Sequence, residues 1–126
     1  MNFDELKLYV EEKIKLVKSN PQKLKDPLDR TTEFLIVLGK LNDFRYNCEC
    51  DKARIQTVTD ALFKNAKDAS DAKNITEKKV DATVNIEYTT ARESLERVEA
   101  MIKWAKEATN IFNHAHLTYR QISKEG

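Results

Sequence analysis

Two histidines, two cysteines and 21 carboxylates are the side chains of this chain that could do chemistry, and their spacing argues against each use in turn. His114 and His116 are two positions apart. On a helix such a pair diverges, whereas two helical ligands to one metal sit three or four apart. The Glu-x-x-His pairs that build di-iron sites in helical bundles are absent. Cys48 and Cys50 are also two apart, so on a helix they point to different faces and read as two reduced thiols. With Gly39 as the single internal glycine there is no phosphate-cradling loop, and no Gly-x-Ser-x-Gly elbow occurs. Glu93 with Arg97, Glu99 with Lys103, and Asp60 with Lys64 fall at i,i+4. Such pairs support an exposed helix face by a few tenths of a kcal/mol each. The expectation is a protein with no catalytic residue, no metal ligand and no cofactor.

The elements that position these side chains follow from what is missing. Residues 28–125 contain no proline and one glycine, so little in the backbone chemistry forces a helix to stop. The spacing predicts an all-α fold: a single domain over 1–126 built as a long antiparallel helical hairpin, coiled-coil-like, with a short N-terminal helix. The short helix covers 1–18, with Phe3, Leu6, Val10, Ile14 and Val17 on one stripe. Both prolines fall in a linker over 19–27, where Asp26 can cap the next helix and Pro27 can occupy its first turn.

The first long helix is expected over 28–72. Phe34, Leu41, Cys48, Ile55, Leu62 and Ala69 recur at seven-residue spacing, and Val37, Phe44, Val58 and Ala72 form a second row broken by Asp51 and Asn65. Asn74 followed by Glu77, or alternatively Thr76, offers a new cap, and the second long helix is expected over 76–123. There Val84, Ala91, Val98, Ala105, Phe112 and Tyr119 alternate with Tyr88, Leu95, Ile102, Thr109 and His116. A further stripe, Met101, Trp104, Ala108, Ile111, Ala115 and Ile122, lies on another side. Two apolar faces need two partners: one is the facing long helix, and the other is the N-terminal helix folded back or a neighbouring copy. A homo-oligomer is therefore expected. Met101, Trp104, Ile111, Phe112 and Ile122 are its candidate interface, or that of another partner.

Charged residues make up 34% with a formal net charge of +1, so net charge neither requires nor excludes a polyanion. The longest apolar run, 34–38, is far short of the roughly 20 residues that span a bilayer. Asp4 and Glu5 stand where a signal peptide carries positive charge, so a soluble, cytosolic protein without membrane contact is expected. Charge is nonetheless uneven. Residues 1–25 hold six lysines against four acids, whereas 81–100 hold two arginines against five acids. Lys40, Arg45, Lys52 and Arg54 on the first long helix are the candidate nucleic-acid-binding residues, supported by the lysine-rich N-terminal helix. Tyr46, Trp104 and Tyr119 are candidate stacking faces for unpaired bases.

A short leading helix, a linker, a basic long helix, a mid-chain break and a final long helix form a layout seen elsewhere. Its clearest stretch is Tyr88-Thr89-Thr90-Ala91-Arg92-Glu93-Ser94-Leu95-Glu96-Arg97-Val98-Glu99-Ala100-Met101-Ile102-Lys103-Trp104, continuing to Thr118-Tyr119-Arg120-Gln121-Ile122. In helix order, length and polarity, residues 28–124 resemble the recombination mediator proteins of T4-type phages, the UvsY family. The resemblance implies a ring-shaped oligomer that binds single-stranded DNA and helps to load a recombinase in place of the single-strand-binding protein. The expected function is thus a non-enzymatic recombination or replication accessory factor. The rival is a helical protein–protein module, an adaptor or inhibitor, that binds no nucleic acid.

Overall fold

A computed structural model describes residues 2–18 and 26–125. The described residues form four helices and no strand: α1 Phe3–Lys18, α2 Asp26–Asp68, α3 Ile75–Thr83 and α4 Ile86–Glu125. The fold is all-helical. Most of the expected linker, residues 19–25, and the side chain of Asp26 assigned to cap α2 lie outside the described residues.

Helix ends are where sequence and structure part. α1 begins on a reciprocal cap: the Asn2 side-chain Oδ1 accepts from the Glu5 backbone N–H at 2.8 Å, and the Asn2 side-chain Nδ2 donates to the Glu5 carboxylate at 3.1 Å. α2 ends at Asp68, short of the expected 72. Ser70 takes the chain out of the helix, its hydroxyl accepting from the Ala72 N–H at 3.1 Å and donating to Asp81. Asn74 then caps α3 as expected, accepting from the Glu77 N–H at 2.8 Å.

The single helix expected over 76–123 is two helices. α3 closes at Thr83 through i→i−3 bonds from Val84 to Asp81 and from Asn85 to Ala82, at 3.3 and 3.2 Å. Asn85 restarts the chain by accepting from the Tyr88 N–H at 3.0 Å. The apolar period reads straight through this joint because Val84 keeps its place in the row. A capping asparagine after the β-branched pair Thr83 and Val84 is a local signal that periodicity does not carry.

The chain sorts into two compact units, one of residues 1–45 with 104–126 and one of residues 46–103. In the first, α1 and the adjoining parts of α2 and α4 enclose one core. Leu6, Val10, Phe34, Val37, Leu41, Ala108, Phe112, Ala115 and Tyr119 are buried there. Phe34 meets Phe112 and Tyr119 with ring centroids 5.7 and 5.4 Å apart, and Phe44 meets Trp104 at 6.0 Å. Rising numbers on α2 match falling numbers on α4, so the two run antiparallel in this unit. Burying each valine, leucine or phenylalanine side chain of this set contributes about 1.5–3 kcal/mol. α1 is folded back onto the second apolar stripe of α4, since Phe3 packs edge-on against Trp104 at 5.2 Å.

In the second unit the same helices pair antiparallel again, Phe63 against Tyr88 at 5.2 Å. Its buried side chains among the described residues are Cys48, Thr59, Ala82, Leu95 and Ile102, with no aromatic ring in the set. The expected seam is only half closed here: Ile55, Leu62 and Val98 are half-buried, and Val58 and Val84 are exposed. The polar interruptions of the seam need no buried partner, because Asn65 is exposed and Asp51 is paired with Arg54.

Candidate nucleic-acid interface

The unit formed by 1–45 and 104–126 places basic side chains from two helices on two aromatic rings. Phe3 is fixed first. It stacks on Phe44 at 5.5 Å with 24° between the planes and abuts Trp104, which holds the start of α1 against α2. One turn on, Lys7 Nζ lies 5.7 Å from the Phe3 centroid. Tyr9 carries two ammonium groups, Lys13 at 5.5 Å from α1 and Lys40 at 5.4 Å from α2. All three distances are within reach of the ring quadrupole. Lys13 is also bound by Glu33, Nζ to Oε2 2.7 Å. Among the described residues no carboxylate comes within salt-bridge distance of Lys7 or Lys40.

This cluster perturbs its own titrations. The hydrogen bond to Glu33 holds the Lys13 ammonium above its ordinary value of 10.5, against a smaller opposing effect of burial. Burial raises the Tyr9 phenol above 10.0; the Lys13 charge opposes this, and the Glu33 charge adds to it. Both groups hold protons more tightly folded than unfolded. Their stabilisation is therefore complete below about pH 10 and lost as pH rises through the folded values. The urea midpoint followed by Trp104 fluorescence is expected to hold to about pH 10 and to fall between about pH 10 and pH 12. A midpoint flat over that range would contradict the assignment.

The sequence-derived residues fare unequally. Lys40 joins the cluster. Arg45 is half-buried and engaged by neighbouring groups. Lys52 and Arg54 belong to the other unit, where Arg54 is tied to Asp51 one turn back and the two flank an open groove of about 380 Å³ lined also by Ile55, Val58, Ala91 and Ser94. Arg54 is thus a partly neutralised cation. Of the stacking candidates, only Tyr46 is free to stack: Trp104 is half-buried among Phe3 and Phe44, and Tyr119 is buried with Arg30 over its ring and bonded to its hydroxyl at 2.9 Å. Among the interface candidates Phe112 is core, at 0% exposure, Met101 and Trp104 are half-buried, and Ile111 and Ile122 stay exposed.

Sequence reasoning assigned no individual role to Lys7, Lys13 or Tyr9. A signal for them exists, since Phe3 with Lys7 and Tyr9 with Lys13 are both aromatic–lysine pairs at i,i+4 on one helix. That Lys40 joins Tyr9 depends on how α1 docks and has no local signal.

Neither Cys48 nor Cys50 is disulfide-bonded, and burial, with Asp51 and Glu49 adding to it, raises the Cys48 thiol above 9.0, so it stays protonated at neutral pH. No group of three or more metal-ligating side chains converges among the described residues, and no helix there is long and apolar enough to cross a membrane. Comparison of the chain with protein-family models, with curated proteins and with solved structures gives no match.

Proposed function

We propose that this chain is a non-enzymatic helical protein that binds single-stranded nucleic acid as an accessory factor in recombination or replication, and does so as a homo-oligomer. One observation carries the reading: Lys7 and Lys40 are exposed, rest on aromatic rings, and have no carboxylate at salt-bridge distance among the described residues. A lysine whose ammonium is already held over a ring loses less freedom when it meets a phosphate. Few such contacts bind weakly alone, and copies of the chain in an assembly would multiply them. Arg45, Lys52 and Arg54 would extend the contact along the strand.

Two further features support the reading. The seam residues left open in residues 46–103, among them Val58 and Val84, are what a second copy would cover on closing the expected hairpin seam. The likeness in layout to the UvsY family makes a recombinase and a single-strand-binding protein the partners to try first. The rival reading, a protein–protein module without nucleic acid, draws on Val80 and Val84, four apart and exposed, with exposed Ile86 beyond them.

Fluorescence anisotropy of a labelled single-stranded oligonucleotide, titrated with the protein at low and high salt, separates the two. Binding that weakens steeply with salt is expected, with log affinity against log salt falling by about 0.7 per phosphate neutralised. Absence of binding at low salt would overturn the proposal and leave the module reading.

A further inference from the structure

Lys13 differs from its neighbours Lys7 and Lys40 in one respect: it already holds an anion. Its ammonium lies between the Tyr9 ring, at 5.5 Å, and the Glu33 carboxylate, at 2.7 Å. We infer that Glu33 acts as a resident carboxylate on the basic cluster, occupying Lys13 in place of a phosphate and so setting how many phosphates the cluster engages. The inference rests on the nucleic-acid reading and deepens it by assigning a regulating residue to the same site.

Geometry supports displacement rather than permanent closure. The Glu33 side chain is 42% exposed and that of Lys13 22%, so the pair sits at the surface, where water screens it and the ammonium can change partners. Lys40 reaches the same ring from α2 at 5.4 Å, so an oligoanion docked on Lys40 is brought to the cluster that contains Lys13. A phosphate arriving there competes with Glu33 for Lys13. While Glu33 prevails, Lys13 adds no released counterion to the binding and does not register in the salt dependence. Glu33 also lies close enough to Tyr9 for its charge to add to the upward shift of the phenol.

The test is the anisotropy titration on Glu33→Gln, on Lys13→Ala, on the double variant, and on Glu107→Gln, which removes an exposed carboxylate of α4 with the same change in net charge. Glu33→Gln is expected to bind more tightly at low salt and to steepen the slope by about 0.7. That corresponds to about 2.6-fold more affinity lost than wild type between 50 and 200 mM salt. Lys13→Ala alone should barely change the slope, and in the double variant the gain should vanish. Glu107→Gln should leave the slope unchanged. Wild type that binds, with Glu33→Gln showing the same slope, overturns this inference and leaves the nucleic-acid reading standing. A gain equal to that of Glu107→Gln also overturns it, since net charge alone would explain the effect. Wild type that fails to bind overturns the nucleic-acid reading and this inference with it, even if Glu33→Gln binds. Failure of both to bind overturns it together with the reading it rests on. Unchanged helical circular dichroism and melting confirm that each variant is folded.

Discussion

Phe112→Ala is expected to destabilise the unit formed by 1–45 and 104–126 by about 3–5 kcal/mol, the cost of emptying an aromatic site that cannot collapse. Phe112 has no exposed surface and packs on Phe34 at 5.7 Å. Its neighbours one turn away on α4, Ala108 and Ala115, are too small to fill the void. A domain of ordinary stability has about 5–15 kcal/mol in total, so this one truncation removes a large share. Trp104 is the only tryptophan and lies in this unit, so its fluorescence during urea or thermal unfolding reports the loss. The adjacent Ile111→Ala, exposed on the same helix, should stay within about 0.5 kcal/mol. The pair distinguishes core from interface. A residue reserved for a partner would weaken assembly and leave the melting of the dilute protein unchanged, and such a result for Phe112→Ala would place it outside the core.

How far the sequence reached can be judged from this residue and its neighbours. Phe34, Leu41 and Phe112 are buried as their seven-residue spacing predicts, because in 1–45 and 104–126 a third helix completes the packing. The same spacing gave equal weight to Ile55, Val58 and Val84, which are half-buried or exposed. Periodicity reports which side of a helix is apolar and is silent on whether anything covers that side. The apolar stripe through Trp104 and Ile111 was legible, but its division was not. α1 covers Trp104 through Phe3 and leaves Ile111 exposed. The helix joint at Asn85 was hidden by a row that continues through Val84, although Asn85 is an ordinary cap residue. For the candidate site, composition pointed to lysines on α1 and α2. Pairing them over Tyr9 required the docking of one helix on another, a long-range fact that no local pattern encodes.

The second large effect is expected from reversing the two unneutralised lysines together. Lys7→Glu with Lys40→Glu should remove binding to a single-stranded oligonucleotide at about 0.15 M salt and, at low salt where residual binding is measurable, reduce the salt slope by about 1.4, two phosphates at 0.7 each. Folding should survive. Both lysines are exposed, and the ring contacts they give up contribute about 0.5–1 kcal/mol each at such positions. That is well below the expected cost of Phe112→Ala. The matched variant Lys52→Glu with Arg54→Glu changes net charge by the same amount in the other unit, where Asp51 already offsets Arg54. It should therefore weaken binding less. If binding followed net charge alone, the two double variants would be equal, and the aromatic-backed cluster would have no special part in capturing the strand. If Lys7→Glu with Lys40→Glu bound like wild type, the phosphates would have to be met elsewhere, and Lys52 with Arg45 would become the residues to reverse next.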